Sequence, residues 1–378
     1  MTTLRIQGSR DFREFGTAER IFHRPRRPRE IFPVQVWPGQ DFTALYKGYN
    51  RHAADPTAAF STLSELNLYL FALHDAWFTI ENGLDGVIFD RDGWIVNEPS
   101  CFRRYSLSET GRDLGAEISP IVELDDVFIG PDAAWGNYYH FLCYGMACCY
   151  IARNLVPESC ALIMPDYESR KVYSNLSFSQ STYDQAFELS GLSNRVTKLP
   201  VGLYHANTLR FLWTDPREPP YLLEVPAFQS MFDEIRRSLT IDPNLPKRLL
   251  VSRSGASDSR MGTEAHDLVR RMCADRGFSI VKFEEMDLRQ QAQALFNADC
   301  IVAPHGAGLV NTMFGRQHLR ILELNTELDD DGSTRACFYQ LAAERNQLYM
   351  SLNGSRQEIN PASLARALDI CCCGPLPT

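Results

Sequence analysis

The residues best suited to chemistry follow an apolar run near position 300. After Cys300-Ile301-Val302 the chain reads Ala303-Pro304-His305-Gly306-Ala307-Gly308-Leu309-Val310-Asn311-Thr312-Met313-Phe314. A strand that ends in a glycine-rich turn and continues as a helix directs unpaired backbone N–H groups at a ligand, which is a geometry that binds phosphate. His305 adds a side-chain donor at the carboxyl end of the strand. The turn predicts a phosphate-binding site, and a tight turn without a ligand is the alternative.

A polar loop with two arginines follows the preceding apolar run. Residues 252–260 come after Leu249-Leu250-Val251 and contain Arg253 and Arg260. Loops at the carboxyl ends of parallel strands share one edge of the sheet, so both arginines are expected beside His305. Guanidinium groups are permanently charged donors that suit phosphate oxygens. Solvated arginines in a surface loop are the alternative.

Strand and helix patterns alternate around these segments. From Arg248 onward, strands are predicted at Leu249–Val251, Phe278–Phe283, Cys300–Val302 and Ile321–Leu324. Helical patterns lie between them. Thr263 is predicted to cap one helix, and Asp287 with Gln290 to form the capping box of the next. Four strands separated by helices predict a Rossmann-like parallel sheet.

The first half of the chain is similar in kind but less regular. Its strands are predicted at Trp77–Ile80, Val87–Asp90, Trp94–Val96, Ile121–Ile129, Ala161–Met164 and Leu209–Trp213. Helices are predicted from about Asn137 to Arg153 and from Tyr183 to Leu189. The turn-forming cluster at 215–220 predicts a boundary, which gives an acceptor-side domain 1–215 and a donor-binding domain 216–378.

Length and charge restrict the class of protein. The chain has 378 residues, of which 44% are hydrophobic and 22% charged, as expected for two globular domains. A net charge of −9 argues against general nucleic-acid binding. The arginine-rich first 29 residues lack the apolar segment of a signal peptide, and no run of about 18 apolar residues occurs. We expect a cytoplasmic protein whose arginine-rich start is a solvated arm on the surface; contact of this arm with anionic lipid at the inner face of the membrane is the alternative.

The cysteines and the acidic clusters do not predict a metal site. Eleven cysteines lack the paired spacing of a zinc site or a disulfide framework, so they are predicted to be free, reduced thiols. The run Asp329-Asp330-Asp331 lacks the alternating ligands of a calcium loop and is predicted to be an acidic loop tip.

Together, these segments resemble glycosyltransferase family 61, which includes bacterial capsular-polysaccharide enzymes and plant and animal glycosyltransferases. The matching residues between Leu249 and Leu324 are Ser252-Arg253, Arg260, Glu264, Gly277-Phe278, Ala298-Asp299, Pro304 to Leu309, Asn311, Phe314 and Glu323. Upstream, Asn137-Tyr138-Tyr139-His140-Phe141 is similar to the family's Asn-x-x-His-Phe motif. One departure is Gly262-Thr263-Glu264, which stands where family members usually carry Arg and then Asn-Glu.

The resemblance implies an α/β fold of the GT-B type, with two Rossmann-like domains facing a central cleft. It also implies inverting, metal-independent transfer from a nucleotide sugar, with UDP as the expected nucleotide, to a glycan or another hydroxyl acceptor. No cofactor is expected, since the nucleotide sugar is a substrate. The expected donor-binding residues are Arg253, Arg260, His305, Gly306, Ala307, Gly308, Leu309, Asn311 and Glu323. Glu323 ends a strand and is expected to accept hydrogen bonds from the ribose.

The departing diphosphate and the attacking hydroxyl make opposite demands on the protein. Growing negative charge on the diphosphate needs a divalent cation, or arginines and a helix start, and this chain offers the latter. The acceptor hydroxyl needs a base, for which His140 is the first candidate because it begins a helix after Asn137 on the acceptor side. Asp132 and Asp126 are the other candidates. A core histidine beside Phe141 is the alternative reading of His140.

Two other functional classes stay open from the residues alone. A Rossmann oxidoreductase needs a third glycine where Asn311 stands. An inactive sugar-nucleotide-binding scaffold would keep the fold and lack turnover.

Overall fold

The computed structural model of the protein groups into two units. The described residues are 4–5, 7–11, 16–25, 27–28, 62–63, 65–80, 87–97, 111, 113–114, 121–130, 136–168, 177–215, 222–240, 242–253, 261–326, 337–353 and 358–373. The first unit holds described residues up to Glu234, and the second holds those from Ile235 onward with the short strand pair at 27–28 and 62–63. Of the predicted boundary cluster 215–220, residues 216–220 lie outside the described ranges.

The first unit is built on a mixed sheet. The strands up to residue 215 are β1 (Gly8–Asp11), β2 (Thr17–Arg24), β3 (Arg27–Pro28), β4 (Thr62–Leu63), β5 (Leu66–Ile80), β6 (Ile88–Phe89), β7 (Trp94–Asn97), β8 (Ile121–Ile129), β9 (Ala161–Pro165), β10 (Val196–Leu199) and β11 (Gly202–Asp215). Among the described residues the sheet runs β1-β7-β6-β5-β11-β8-β9-β10, with β2 also paired to β5. Strands β11, β8, β9 and β10 are parallel neighbours, whereas β5 is antiparallel to β11.

The expectation of a Rossmann-like first domain therefore holds for only one side of this sheet. The difference comes from β5, whose 15 residues are buried or half-buried except for His74 and Asp75. The sequence predicts only its last four residues as a strand. So long an apolar segment spans the sheet, and its antiparallel pairing with β11 buries both strands.

The helices of the first unit pack on this sheet. They are α1 (Tyr138–His140), a π-helical turn (Phe141–Met146), α2 (Ala147–Ala152) and α3 (Gln180–Leu189), followed by α4 (Pro226–Arg237), which crosses the division between the units. All six residues of α2 are buried, which explains why this segment is apolar on every side. None of the described helices is long and apolar enough to cross a membrane.

The second unit contains a parallel sheet. Its strands are β12 (Arg248–Val251), β13 (Ser279–Val281), β14 (Cys300–Pro304), β15 (Arg320–Asn325) and β16 (Leu348–Asn353). Within the described ranges the order is β13-β12-β14-β15-β16, and each neighbouring pair is parallel. The four predicted strands are confirmed, and β16 is a fifth that the sequence patterns did not predict. Both units are thus α/β structures.

The helices of the second unit are α5 (Thr263–Ala274), α6 (Leu288–Asn297), α7 (Cys337–Glu344) and α8 (Pro361–Cys373), with 3-10 helices at Phe283–Glu285 and Ala307–Phe314. The capping box of Asp287 and Gln290 is confirmed. The predicted Thr263 cap is wrong, because the extended backbone of Gly262 begins the helix one residue earlier and Thr263 is its first helical residue. Residues of α5 and α8 pack with Leu250, Val302 and Leu322 in one apolar cluster.

The cysteines differ in part from the prediction of free thiols. Six described cysteines are free, and five of these are buried. Cys300 at the start of β14, however, forms a disulfide with Cys371 of α8, with the two Cα atoms 6.5 Å apart. The pairing was not predictable from spacing, because the two residues are separated by 71 positions.

The burial of β14 predicts where the second unit is most sensitive to truncation. We expect Ile301→Ala to lower the free energy of unfolding by about 2–5 kcal/mol, because a fully buried side chain leaves a cavity. The matched control is Ile280→Ala on the edge strand β13, whose side chain is 47% exposed and whose loss should cost about 1 kcal/mol or less. Urea denaturation of both variants measures the difference. Equal losses would contradict the assignment of β14 as the buried centre of the sheet.

Candidate functional site

The order of the strands creates a switch point at the carboxyl edge of the second sheet. From β12 the chain passes to β13 on one side, and then returns to β14 on the other. Neighbouring strands β12 and β14 therefore end side by side, with the loops that follow them leaving in different directions. Ligands of open α/β sheets bind at such points. The loop of Arg253 follows β12, and the turn of His305 follows β14.

Arg253 and Gly306 meet at this point. A methyl group added at Gly306 would lie 2.8 Å from Nη1 of Arg253, so the guanidinium rests where any larger residue would place its side chain. The backbone of Gly306 is extended, so the missing side chain leaves space for the guanidinium and does not serve an unusual backbone angle. The predicted proximity of Arg253 to the histidine-glycine turn is present. Arg260 lies outside the described residues.

His305 is held by a buried carboxylate. Its Nδ1 is hydrogen-bonded to Oε1 of Glu323, and the hydroxyl of Tyr349 donates to Oε2 of the same carboxylate. Glu323 has no exposure to solvent and Tyr349 is 1% exposed. The ring of Phe338 packs against the imidazole with 5.2 Å between centroids. A direct ribose contact of Glu323 stays a prediction, but both of its oxygens already have protein partners.

The segment after the turn is a 3-10 helix, Ala307–Phe314, rather than the α-helix that the pattern suggests. Leu309 is buried, and its N–H donates to the carbonyl of Gly306 at 3.0 Å. Gly308 is close to Phe283, since an added methyl group would lie 3.0 Å from that ring. Ala307 and Gly308 are half-buried at the start of the helix. Their backbone N–H groups are the ones that a phosphate would meet.

Asn311 has a structural position. It is fully buried, and its Nδ2 donates to Oε1 of Gln291 at 2.7 Å. Gln291 in turn donates to the carbonyls of Phe283 and Met286. This chain of hydrogen bonds anchors the 3-10 helix to α6. The predicted contact of Asn311 with the donor stays a prediction. Its hydrogen bond to Gln291 supports a role in positioning the turn.

The sequence patterns did not single out His266. It lies one turn into α5, where its Nε2 is 3.0 Å from the hydroxyl oxygen of Ser252. His266 and Arg253 line one pocket with the apolar side chains of Val251 and Pro304. The available signal was a serine at the strand end and a histidine on the following helix, which is too common a pattern to be specific.

In the first unit, Asn137 and His140 begin the helical segment. The Oδ1 of Asn137 accepts the N–H of Tyr139 at 2.9 Å, which makes Asn137 the N-cap of α1. His140 is half-buried between the rings of Tyr139 and Tyr144, at centroid distances of 5.6 and 5.4 Å. The π-helical turn begins at the next residue, and such turns are frequent at functional sites.

The motif's phenylalanine and histidine have different surroundings. Phe141 is fully buried and stacks on Phe178 with 4.7 Å between centroids. Phe141 therefore belongs to the core, whereas the neighbouring His140 retains partial exposure. The alternative of a fully buried core histidine does not describe His140.

Asp126 is engaged in an ion pair. Both of its carboxylate oxygens accept hydrogen bonds from Arg210, at 2.9 and 3.1 Å. These hydrogen bonds raise the pKa of Arg210 above its ordinary value. Because both oxygens of Asp126 already accept from the guanidinium, Asp126 is a less favourable candidate for the base. Asp132 lies outside the described residues.

Another histidine of the first unit has two carboxylate partners. Nδ1 of His205 is 2.5 Å from Oε2 of Glu123, and Nε2 is 2.6 Å from Oδ1 of Asp75. The ring also contacts Trp77 at 4.6 Å. Both nitrogens are occupied, so this histidine is not available as a base. Within the described part of the chain, no group of three or more His, Cys, Asp or Glu side chains is placed to hold a metal ion.

Comparison with known proteins supports the resemblance drawn from the motifs. Among solved structures, E. coli heptosyltransferase WaaC with ADP is similar at 13% sequence identity and a TM-score of 0.27, over 66% of this chain and 97% of that one. No curated protein matches the chain. The family model described as Glycosyltransferase 61 matches residues 138–322, which include both the His140 segment and the His305 turn. The resemblance to glycosyltransferase family 61 drawn from the motifs is therefore confirmed, and the chain is a glycosyltransferase.

Proposed function

We propose that this glycosyltransferase moves a sugar, with inversion, from a UDP-sugar donor to a hydroxyl of a glycan or another acceptor. The observation that carries the proposal is the contact of Arg253 with Gly306 beside His305, at the switch point of the second sheet. The GT-B architecture with its cleft, the boundary after residue 215 and a peripheral position at the inner face of the membrane belong to the same proposal.

The chemistry of the donor explains this choice of residues. A nucleotide sugar carries a diphosphate that gains negative charge as the bond to the sugar breaks. Arg253 brings a permanent positive charge to the turn, and glycine at 306 allows the guanidinium to lie directly on the backbone. Backbone N–H groups at the start of the 3-10 helix add neutral donors on the same side. These groups suit a diphosphate, and the apolar walls near Arg253 suit the less polar parts of the donor.

Loss of the arginines should weaken donor binding. We expect Arg253→Ala and Arg260→Ala each to reduce the affinity for UDP by about tenfold to a hundredfold, because a charge-assisted hydrogen bond contributes roughly 1.5–3 kcal/mol. Isothermal titration calorimetry measures the dissociation constants. The control is Arg270→Ala, which removes an arginine of α5 whose side chain is 54% exposed and should leave binding unchanged. Unaltered affinity in both test variants would remove the donor assignment.

Turnover is proposed to need no divalent cation. Arg253 and the helix start supply the positive charge that a metal would otherwise bring. The pair Asp90 and Asp92 has the Asp-x-Asp spacing that often holds a cation, but Oδ1 of Asp90 accepts the backbone N–H groups of Asp92 and Trp94, at 2.9 and 3.0 Å. That spacing serves the turn between β6 and β7.

Activity should therefore survive removal of metal ions. We expect the rate of nucleotide release to be the same with and without an excess of EDTA, because the donor charge is met by protein groups. Addition of magnesium or manganese should not increase it. A rate abolished by EDTA and restored by either ion would show that a cation carries the leaving-group charge.

His140 is proposed as the base that takes the proton of the acceptor hydroxyl. Its partial exposure and the adjacent π-helical turn support this role, whereas Asp126 is paired with Arg210. An imidazole can exchange a proton near neutral pH, which a general base requires. The role depends on the acceptor reaching this segment of the first unit.

Removal of the imidazole should separate binding from turnover. We expect His140→Ala to keep its affinity for UDP and to lose about 10²–10⁴-fold in the rate of UDP release, which is the usual contribution of a general base. The matched control is His74→Ala, an exposed histidine of the same unit that should leave the rate unchanged. Normal turnover in His140→Ala, with loss in Asp132→Asn or Asp126→Asn, would assign the base to a carboxylate.

A further inference from the structure

Tyr349 is connected to the His305 turn through the side chain of Glu323. It lies on β16, beyond the matched region 138–322, and no sequence motif includes it. Its hydroxyl donates to Glu323, and Glu323 accepts His305 at its other oxygen. The hydrogen bonds among these three side chains thus connect β16, β15 and the end of β14.

Each link in this line depends on the next. A carboxylate without solvent exposure needs hydrogen bonds at both oxygens, since an unsatisfied buried charge is costly. Tyr349 supplies one of them, which holds the carboxylate in a single orientation. With its orientation held, Glu323 sets the plane of the His305 ring through Nδ1. Glu323 therefore controls the direction in which Nε2 of His305 points.

The other nitrogen of His305 is left for a ligand. The side chain of His305 is 13% exposed, and within the described residues no hydrogen bond is made to its Nε2. With Nδ1 directed at the carboxylate, Nε2 lies on the opposite side of the ring. The guanidinium of Arg253 lies against the adjacent Gly306, so it is beside the same turn as the imidazole.

We propose that Tyr349 is a positioning residue of the donor site, which orients the imidazole of His305 toward the diphosphate through Glu323. This inference rests on the proposed function, because it takes the His305 turn as the donor site. Tyr349 itself does not touch the donor. Its hydroxyl fixes the orientation of the Glu323 carboxylate, and that carboxylate fixes the orientation of the His305 imidazole.

A double-mutant cycle tests the coupling. We expect Tyr349→Phe to weaken binding of UDP by about three- to tenfold in calorimetry, as for the loss of one buried hydrogen bond that acts through a second group. The same substitution in a His305→Ala background should have no further effect. The matched control is Tyr204→Phe, which removes the buried hydroxyl that donates to the carbonyl of Pro200 and should leave the affinity unchanged.

A spectroscopic signature separates positioning from a general loss of stability. The chain has eight histidines, so selective ¹⁵N labelling gives few signals, and His305→Ala assigns the one of interest. In the wild type, Nδ1 of His305 should carry a proton bonded to carboxylate. In Tyr349→Phe this signal should shift or broaden, even without nucleotide. In Tyr204→Phe it should not change.

The outcomes distinguish this inference from the proposed function. If Tyr349→Phe binds UDP normally while His305→Ala does not, the positioning role is overturned and the donor site stands. If His305→Ala also binds normally, both are overturned. An equal loss from Tyr349→Phe with and without His305 would assign Tyr349 a structural role alone. Should Tyr349→Phe fail to fold, Glu323→Gln replaces one of the two accepting oxygens with an amide NH₂ group, which cannot accept from Tyr349 or His305. Unchanged UDP affinity and an unchanged His305 signal in that variant would overturn the proposal.

Discussion

The carboxyl edge of the second sheet depends on one buried carboxylate, that of Glu323. Glu323 has no contact with water, and a carboxylate in that position is tolerated only when its oxygens are paired. Its partners come from the strands on either side, His305 at the end of β14 and Tyr349 on β16. Removal of either partner would leave a charge with no alternative source of stabilisation.

The surroundings of the two candidate reaction groups differ in a useful way. At the His305 turn, Gly306 leaves room for the guanidinium of Arg253. In the first unit, by contrast, the candidate Asp126 is already paired with Arg210. Aromatic rings flank His140 on two sides.

Local chemistry was predictable from the sequence, and long-range pairing was not. The capping box at Asp287 needs only residues within one turn, and it is confirmed. Strand β8 was predicted with its observed bounds because its alternation of exposed and less exposed residues is regular.

Strand β16 and the full length of β5 were not predicted, since their stability depends on partners distant in the chain. The position of Tyr349 beside the turn was not predicted for the same reason, because Tyr349 is connected to the turn only through Glu323. The contact of Arg253 with the turn was predicted from parallel-strand geometry, but the arrangement of Glu323 as a buried partner rather than an exposed strand end was not.

The disulfide between Cys300 and Cys371 gives the second unit a covalent topology that differs from its linear sequence. It closes a ring of the polypeptide that begins at the first residue of β14 and ends in α8. His305, Glu323 and Tyr349 all lie inside this ring, whereas Arg253 lies outside it. A single cut of the backbone within the ring would open it without releasing a fragment. The three linked side chains would then remain in one molecule for as long as the sulfur–sulfur bond persists.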